Sequence, residues 1–328
     1  MSIEFSHSLD HLGEGPFTRL SNLFNGIKNP SNHNQIDLSL GEPHQAFPDF
    51  VARIIAEQEK EWGFYPPLRG SMDLRDSIAE WFVRRYALPK EMINAERNIL
   101  ALSGTREGLY LVAQTVVHGL VNKTKVLIPN PFYAAYAGAA AGTGAEPVFV
   151  SGAKGTNDLP DYASLSPSIL KSTALCYLCS PSNPQGAMAS FDYLKNLISL
   201  AREYGFLLAV DECYGEIYNF DPPPGAIEVC ASMDGGSLDN VVVFHSLSKR
   251  SSVPGLRSGF VAGDPKIISA FANVRAYSAA TAPGPILAAS AALWRDDTHV
   301  SEVRENYKKR FDQSDRILGN RYNYFRPD

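Results

Sequence analysis

Seven short, almost unbroken apolar runs punctuate the chain, at residues 98–102, 125–128, 147–150, 174–179, 206–210, 241–245 and 259–262. Four to six consecutive apolar residues without alternation fit strands covered on both faces. Between them lie longer stretches of helical spacing. Residues 107–120 repeat Leu109, Val112, Val116, Val117 and Leu120, and residues 191–204 repeat Leu194, Leu197, Ile198 and Ala201. Strand alternating with helix predicts a three-layer α/β/α architecture around a mostly parallel seven-stranded sheet. In such sheets ligands bind beyond the carboxyl ends of the strands, so chemistry is sought there.

Softer regions flank this pattern. Residues 1–45, rich in Asn, Ser, Gly and Pro, read as an irregular arm with part of a small domain. Residues 46–290 form the large domain, and the charged, helical segment 291–328 begins a second, smaller and incomplete one. Helix is expected there through 303–318, and loops at 152–159 and 221–225. The stretch 276–294 has no charge and is long enough to span a bilayer, but Pro283-Gly284-Pro285 divides it into a loop and a helix start. It therefore reads as buried protein. The opening Met1 to His7 has neither the basic nor the apolar region of a secretory leader.

Composition changes the picture little. Of 328 residues 45% are apolar, enough for a core, and 30 basic against 35 acidic side chains give a net charge of −5. An acidic chain is a poor nucleic-acid partner. Cys176 and Cys179 have redox spacing, but three residues apart on a strand they face opposite ways and are not expected to pair. Unpaired thiols fit a reducing cytoplasm. The histidines show no metal-ligand spacing, and no phosphate-loop, zinc-protease or nucleophile-elbow motif occurs.

The strand ends are richer. The first runs into Ser103-Gly104-Thr105 and then a helix, whose free N–H groups suit a phosphate, although a plain capped helix start has the same pattern. A later strand ends in Ser180 to Gly186, with Asn183 between Pro181 and Pro184 as a candidate fixed amide donor, or an ordinary loop. The next ends in Asp211-Glu212-Cys213-Tyr214. An acid straight after five apolar residues calls for a cationic ligand, unless it only caps a helix. The strand 241–245 leads to Ser246, Ser248 and Lys249, with Arg257 beyond. A lysine there can have its pKa lowered and act as a nucleophile, while the serines and arginine suit an anion. Four such features at four strand ends carry more weight together than singly.

In order and spacing these residues resemble the fold-type I pyridoxal phosphate (PLP) enzymes, the class I/II aminotransferases. The resemblance runs through Leu40-Gly41-Glu42-Pro43, Tyr65 to Gly70 with Leu74-Arg75, Ser103-Gly104-Thr105, Pro131-Phe132-Tyr133, Ser182-Asn183-Pro184, Asp211 to Tyr214, and Ser246 to Arg257. It implies that Lys249 holds PLP as a Schiff base and then serves as general base. Asp211 pairs with the pyridine nitrogen, and Tyr214 and Asn183 bond the phenolic oxygen. Tyr133, rather than Phe132, stacks on the ring. Gly104, Thr105, Ser103, Ser246, Ser248 and Arg257 hold the phosphate. Tyr65 reaches the phosphate of a neighbouring subunit, implying a homodimer with shared sites, and Gly41 and Asn183 border the substrate. No metal is implied.

The implied reaction moves an amino group between an amino acid and a 2-oxo acid such as 2-oxoglutarate. The string His245 to Phe260 is further similar to N-succinyldiaminopimelate aminotransferases of lysine biosynthesis. A β-lyase or decarboxylase on the same fold, and a non-catalytic PLP-binding module, remain alternatives. Chains of this family normally continue beyond Tyr322 to Asp328 and supply there the arginine that clamps the substrate carboxylate. No residue is assigned that role.

Overall fold

A computed structural model describes residues 13–27, 34, 36–117, 122–319, 321–324 and 326. The expected strands are all present: β1 Ile99–Leu102, β2 Lys125–Asn130, β3 Glu146–Ser151, β4 Thr173–Cys179, β5 Leu207–Asp211, β6 Val241–Ser246 and β7 Gly259–Gly263. They form one seven-stranded sheet in the order β1-β7-β6-β5-β4-β2-β3. Only β7 runs against its neighbours, β1 and β6.

The unbroken apolar runs follow from helices on both faces. The helices are α1 Pro16–Phe24, α2 Phe50–Glu57, α3 Met72–Tyr86, α4 Thr105–Val116, α5 Ala134–Thr143, α6 Pro167–Ser172, α7 Phe191–Tyr204, α8 Ala226–Ser232, α9 Leu247–Arg250, α10 Pro265–Ser278, α11 Gly284–Arg295 and α12 Thr298–Leu318. Alternate strand residues enter separate cores. Cys176, Leu178, Leu208, Val210 and Val243 pack with α3, α7, α8 and α11. Leu175, Tyr177, Ala209, Val242 and Phe244 pack with α4, α5 and α10. The two-residue period of the strand thus sorts an all-apolar sequence into two layers. All four cysteines are free, as the opposed faces of Cys176 and Cys179 require.

Side chains set several helix starts. Ser71 accepts from the Leu74 N–H, Ser190 from Tyr193 and Asp264 from Lys266. Gly205, at φ 65°, closes α7 in the left-handed conformation.

Some expectations need adjustment. β3 is not covered on both faces: it is one edge of the sheet, mostly exposed, with Phe149 on its surface. The 1–45 arm contains the nine-residue helix α1. α4 begins two residues before 107 and gives way to extended backbone at Val117, while the expected end at Leu120 lies outside the described residues, as do Met1 to His7. α12 begins at Thr298 rather than 303. The stretch 276–294 divides as expected into the end of α10, a loop and α11, and no helix among the described residues is long and apolar enough to cross a membrane.

Candidate active site

Sheet register gathers the strand ends. Cys179 pairs with Asp211 across β4 and β5, and Asp211 with Phe244 across β5 and β6. Gly259 of β7 lies between Leu102 and Ser246, so the turn Ser103–Thr105 and the start of α9 leave the sheet side by side.

Asp211 is the last residue of β5 and only 5% exposed. It accepts hydrogen bonds from the Tyr136 hydroxyl (2.8 Å) and the Cys213 N–H (3.2 Å). It takes part in none of the ion pairs among the described residues. Burial raises its pKa above the ordinary carboxylate value, against the pull of those donors. A walled-in acid that takes part in no ion pair is the environment a pyridinium nitrogen would relieve.

Lys249 stands on α9, half-buried, and its amine donates to the Gly41 carbonyl. Desolvation lowers its pKa, opposed by Cys213 and Glu42. The amine lies 5.9 Å from the centre of the Tyr214 ring, and the Asn183 amide donates to the Tyr214 hydroxyl over 3.3 Å. Burial also raises the Tyr214 pKa, which keeps the phenol protonated.

An anion cradle adjoins them. Ser246 caps α9 by accepting from the Ser248 N–H, and its hydroxyl bonds that of Ser248 at 3.0 Å. Gly104, at φ 86°, precedes α4. A Cβ there would collide with the Arg257 guanidinium, so glycine alone lets Arg257 lie across the start of the helix. Arg257 donates to the Pro254 carbonyl (2.9 Å) and makes no ion pair among the described residues. The free N–H groups of a helix start, two hydroxyls and an uncommitted guanidinium suit a phosphate dianion. The Thr105 hydroxyl is 3.2 Å from the Cys213 sulfur, and the Ser103 hydroxyl donates to the Ala280 carbonyl. Ser103 is thus turned toward the loop before α11.

The aromatic wall belongs to α5. Tyr133 precedes it, held by Arg106 at 2.6 Å, and its ring is 5.7 Å from Tyr136, the tyrosine bonded to Asp211. Phe132 packs on Phe149 at the sheet edge. Tyr136 was not singled out by sequence. Its one signal is its position a helical turn from Tyr133, which many core tyrosines share. Tyr65 is wholly exposed and touches none of these residues. Arg326 is engaged by Asp312, Asp315 and Asn219. No group of metal-ligating side chains occurs among the described residues.

An amine of lowered pKa, a buried acid outside any ion pair, a phenol–amide pair and an anion cradle fit PLP. A model of the family described as aminotransferase class I and II matches residues 33–326. The 4-dedimethylamino-4-oxo-anhydrotetracycline transaminase OxyQ of Streptomyces rimosus is 32% identical over 84% of this chain and 71% of its own. The LL-diaminopimelate aminotransferase of Desulforudis audaxviator is 30% identical over 90% of this chain and 74% of its own. Some curated relatives are longer, and of one the chain spans only 61%. The crystal structure of an aminotransferase from Neisseria meningitidis superposes with a TM-score of 0.90 at 37% identity, covering 99% of this chain and 82% of that one.

Proposed function

Because the chain belongs to the class I and II aminotransferases, which use PLP, we propose that it exchanges amino groups between an amino acid and a 2-oxo acid at the site around Lys249. The observation that carries this reading is the Lys249 amine at the same strand ends as Asp211, a buried acid that takes part in no ion pair among the described residues.

When bound, PLP supplies an electron sink that lets an amino acid lose its α-proton and trade its amino group for an oxo group. The residues of this chain do the rest. Arg257, Ser246, Ser248 and the N–H groups of Gly104 and Thr105 bind the phosphate. Asp211 holds a proton on the ring nitrogen by its negative charge. The Tyr214 hydroxyl and the Asn183 amide donate to the phenolic oxygen, and Tyr133 covers the ring face. Lys249 would hold the cofactor through its amine nitrogen, and the same amine, when free, would be the general base. Its lowered pKa leaves more of it unprotonated near neutral pH, so it can take the α-proton and deliver it elsewhere. Gly41, whose carbonyl already meets this amine, borders the substrate.

Tyr65 has no work within its own chain, and its complete exposure supports a homodimer in which it completes the neighbouring site. The favoured substrates are N-succinyldiaminopimelate and 2-oxoglutarate. The string from His245 to Phe260 and the likeness to an enzyme named LL-diaminopimelate aminotransferase support them. Four free thiols support a reducing, cytoplasmic setting.

Adding PLP should produce a near-visible absorption band that a Lys249→Ala protein lacks. Screening N-succinyldiaminopimelate, LL-diaminopimelate, glutamate and aspartate for bleaching of that band identifies the donor. Asp211→Asn should lower turnover by about 10²- to 10³-fold, the scale of losing one aligned charge. Undiminished turnover removes Asp211 from the mechanism, and a band that no amino acid bleaches removes the transaminase reading.

A further inference from the structure

The residues that follow Lys249 are bound more tightly than Lys249 itself. Arg250 is 2% exposed, an unusual place for a guanidinium. It donates to the Leu293 carbonyl (2.7 Å) at the end of α11 and to the Asp297 carboxylate (2.7 Å) just before α12. Its guanidinium carbon lies 4.8 Å from the centre of the Trp294 ring. The next residue, Ser251, is fully buried, and its hydroxyl meets His299 Nε2 at 2.8 Å. The other ring nitrogen of His299 meets the Asp296 carboxylate, which also accepts the His299 N–H. Two consecutive residues after the reactive lysine are therefore fastened to one place, the junction of α11 and α12.

The same junction reaches other parts of the fold. Asp297 also holds Arg84 of α3 at 3.0 Å, and Phe50 at the start of α2 packs edge-on to His299 at 6.3 Å. Ser290 of α11 donates to Ser258, the residue after Arg257. Packing alone does not call for this arrangement. Burying an arginine and a serine–histidine pair costs desolvation that an apolar contact would avoid. What such groups add is direction, since hydrogen bonds fix position where apolar contacts allow sliding.

We propose that Arg250, with Asp297 and the Ser251–His299–Asp296 chain, positions Lys249 by locking the α9 turn to the start of α12. The height of the amine above the sheet then depends on where α12 sits. Arg250 and His299 are positioning residues that touch neither substrate nor cofactor. This inference rests on the aminotransferase reading.

The test uses Arg250→Met, which keeps the stem packed on Trp294 but removes both donors. Asp297→Asn, at a half-exposed side chain, serves as the variant least able to unfold the protein. Arg295→Ala, the last residue of α11 but paired to Asp73 and Glu80 at the surface, is the control. Each is read without cofactor, by mapping the rate of Lys249 amine acylation against pH, and with PLP, by kcat and KM. Loosening the turn should let water reach the amine. Its labelling midpoint should move up in Arg250→Met, and less in Asp297→Asn, while the control matches the parent. kcat should fall about tenfold or more with KM within about twofold, as expected when a reacting group is displaced by part of an ångström. A lowered melting temperature with unchanged midpoint and kcat would make the lock a stability feature and overturn the proposal. If the parent takes up no PLP, the functional reading falls and this one with it. If the parent takes it up and the variants match it, only this inference falls.

Discussion

Asp211 is the residue in which cost and use meet. Its folded pKa lies above the ordinary 3.8 because burial disfavours the charge. Such a group weakens the fold once the pH passes its unfolded value, and the penalty is complete above the folded one. In PLP-free protein, Asp211→Asn should therefore raise the melting temperature at neutral pH. The gain should vanish as the pH falls below about 3.8, where the unfolded carboxyl is already protonated. With PLP bound the same substitution should lower it, because the pyridinium loses its counter-charge. Thermal unfolding across pH, with and without cofactor, reads both signs. That Asp211 needed a partner was legible from five apolar residues before it. That Tyr136 would be a donor was not, because its position reads equally as core. Arg250 was hidden too, since a basic residue beside Lys249 in a serine-rich turn looks like surface.

At the level of elements, sequence was most informative where both faces are covered. Six of the seven strands stood out because neither side could tolerate polarity. β3 departs from that rule because it is an edge strand left mostly uncovered, whereas β1 at the opposite edge is buried throughout. α1 is short and set among Asn, Ser and Gly, and the first turn of α12 is polar, so apolar periodicity marked neither. Helix packing contributes a prediction at Gly108 of α4. A Cβ there would stand 2.9 Å from the Phe244 ring of β6 and closer still to Leu102 of β1. Gly108→Ala should gain about 1 kcal/mol of helix preference and lose more to overpacking, for a net loss of about 1–2 kcal/mol. Denaturant titration measures it, and a more stable variant would show that α4 can retreat from the sheet.

For the whole molecule, the exposed surface is as telling as the core. Trp62 (54% exposed), Phe64 (72%) and Tyr65 (101%) stand together in sequence on the outside, with Leu68 and Met72 following. So much apolar surface in one short segment marks a contact face. The parent should sediment as a dimer, and a Trp62→Ser, Phe64→Ser double variant should shift toward monomer and lose PLP affinity, as the proposed shared sites require. A monomeric parent with full affinity would remove Tyr65 from the site. Lys249 and Arg257 both travel on the single link between β6 and β7, neighbouring strands of the sheet. The proposed tether and anchor are therefore parts of one short cassette: lengthening or trimming the link between them by a residue would change the spacing of the two, so under that proposal anchorage and reactivity are inherited, transplanted or lost as a unit.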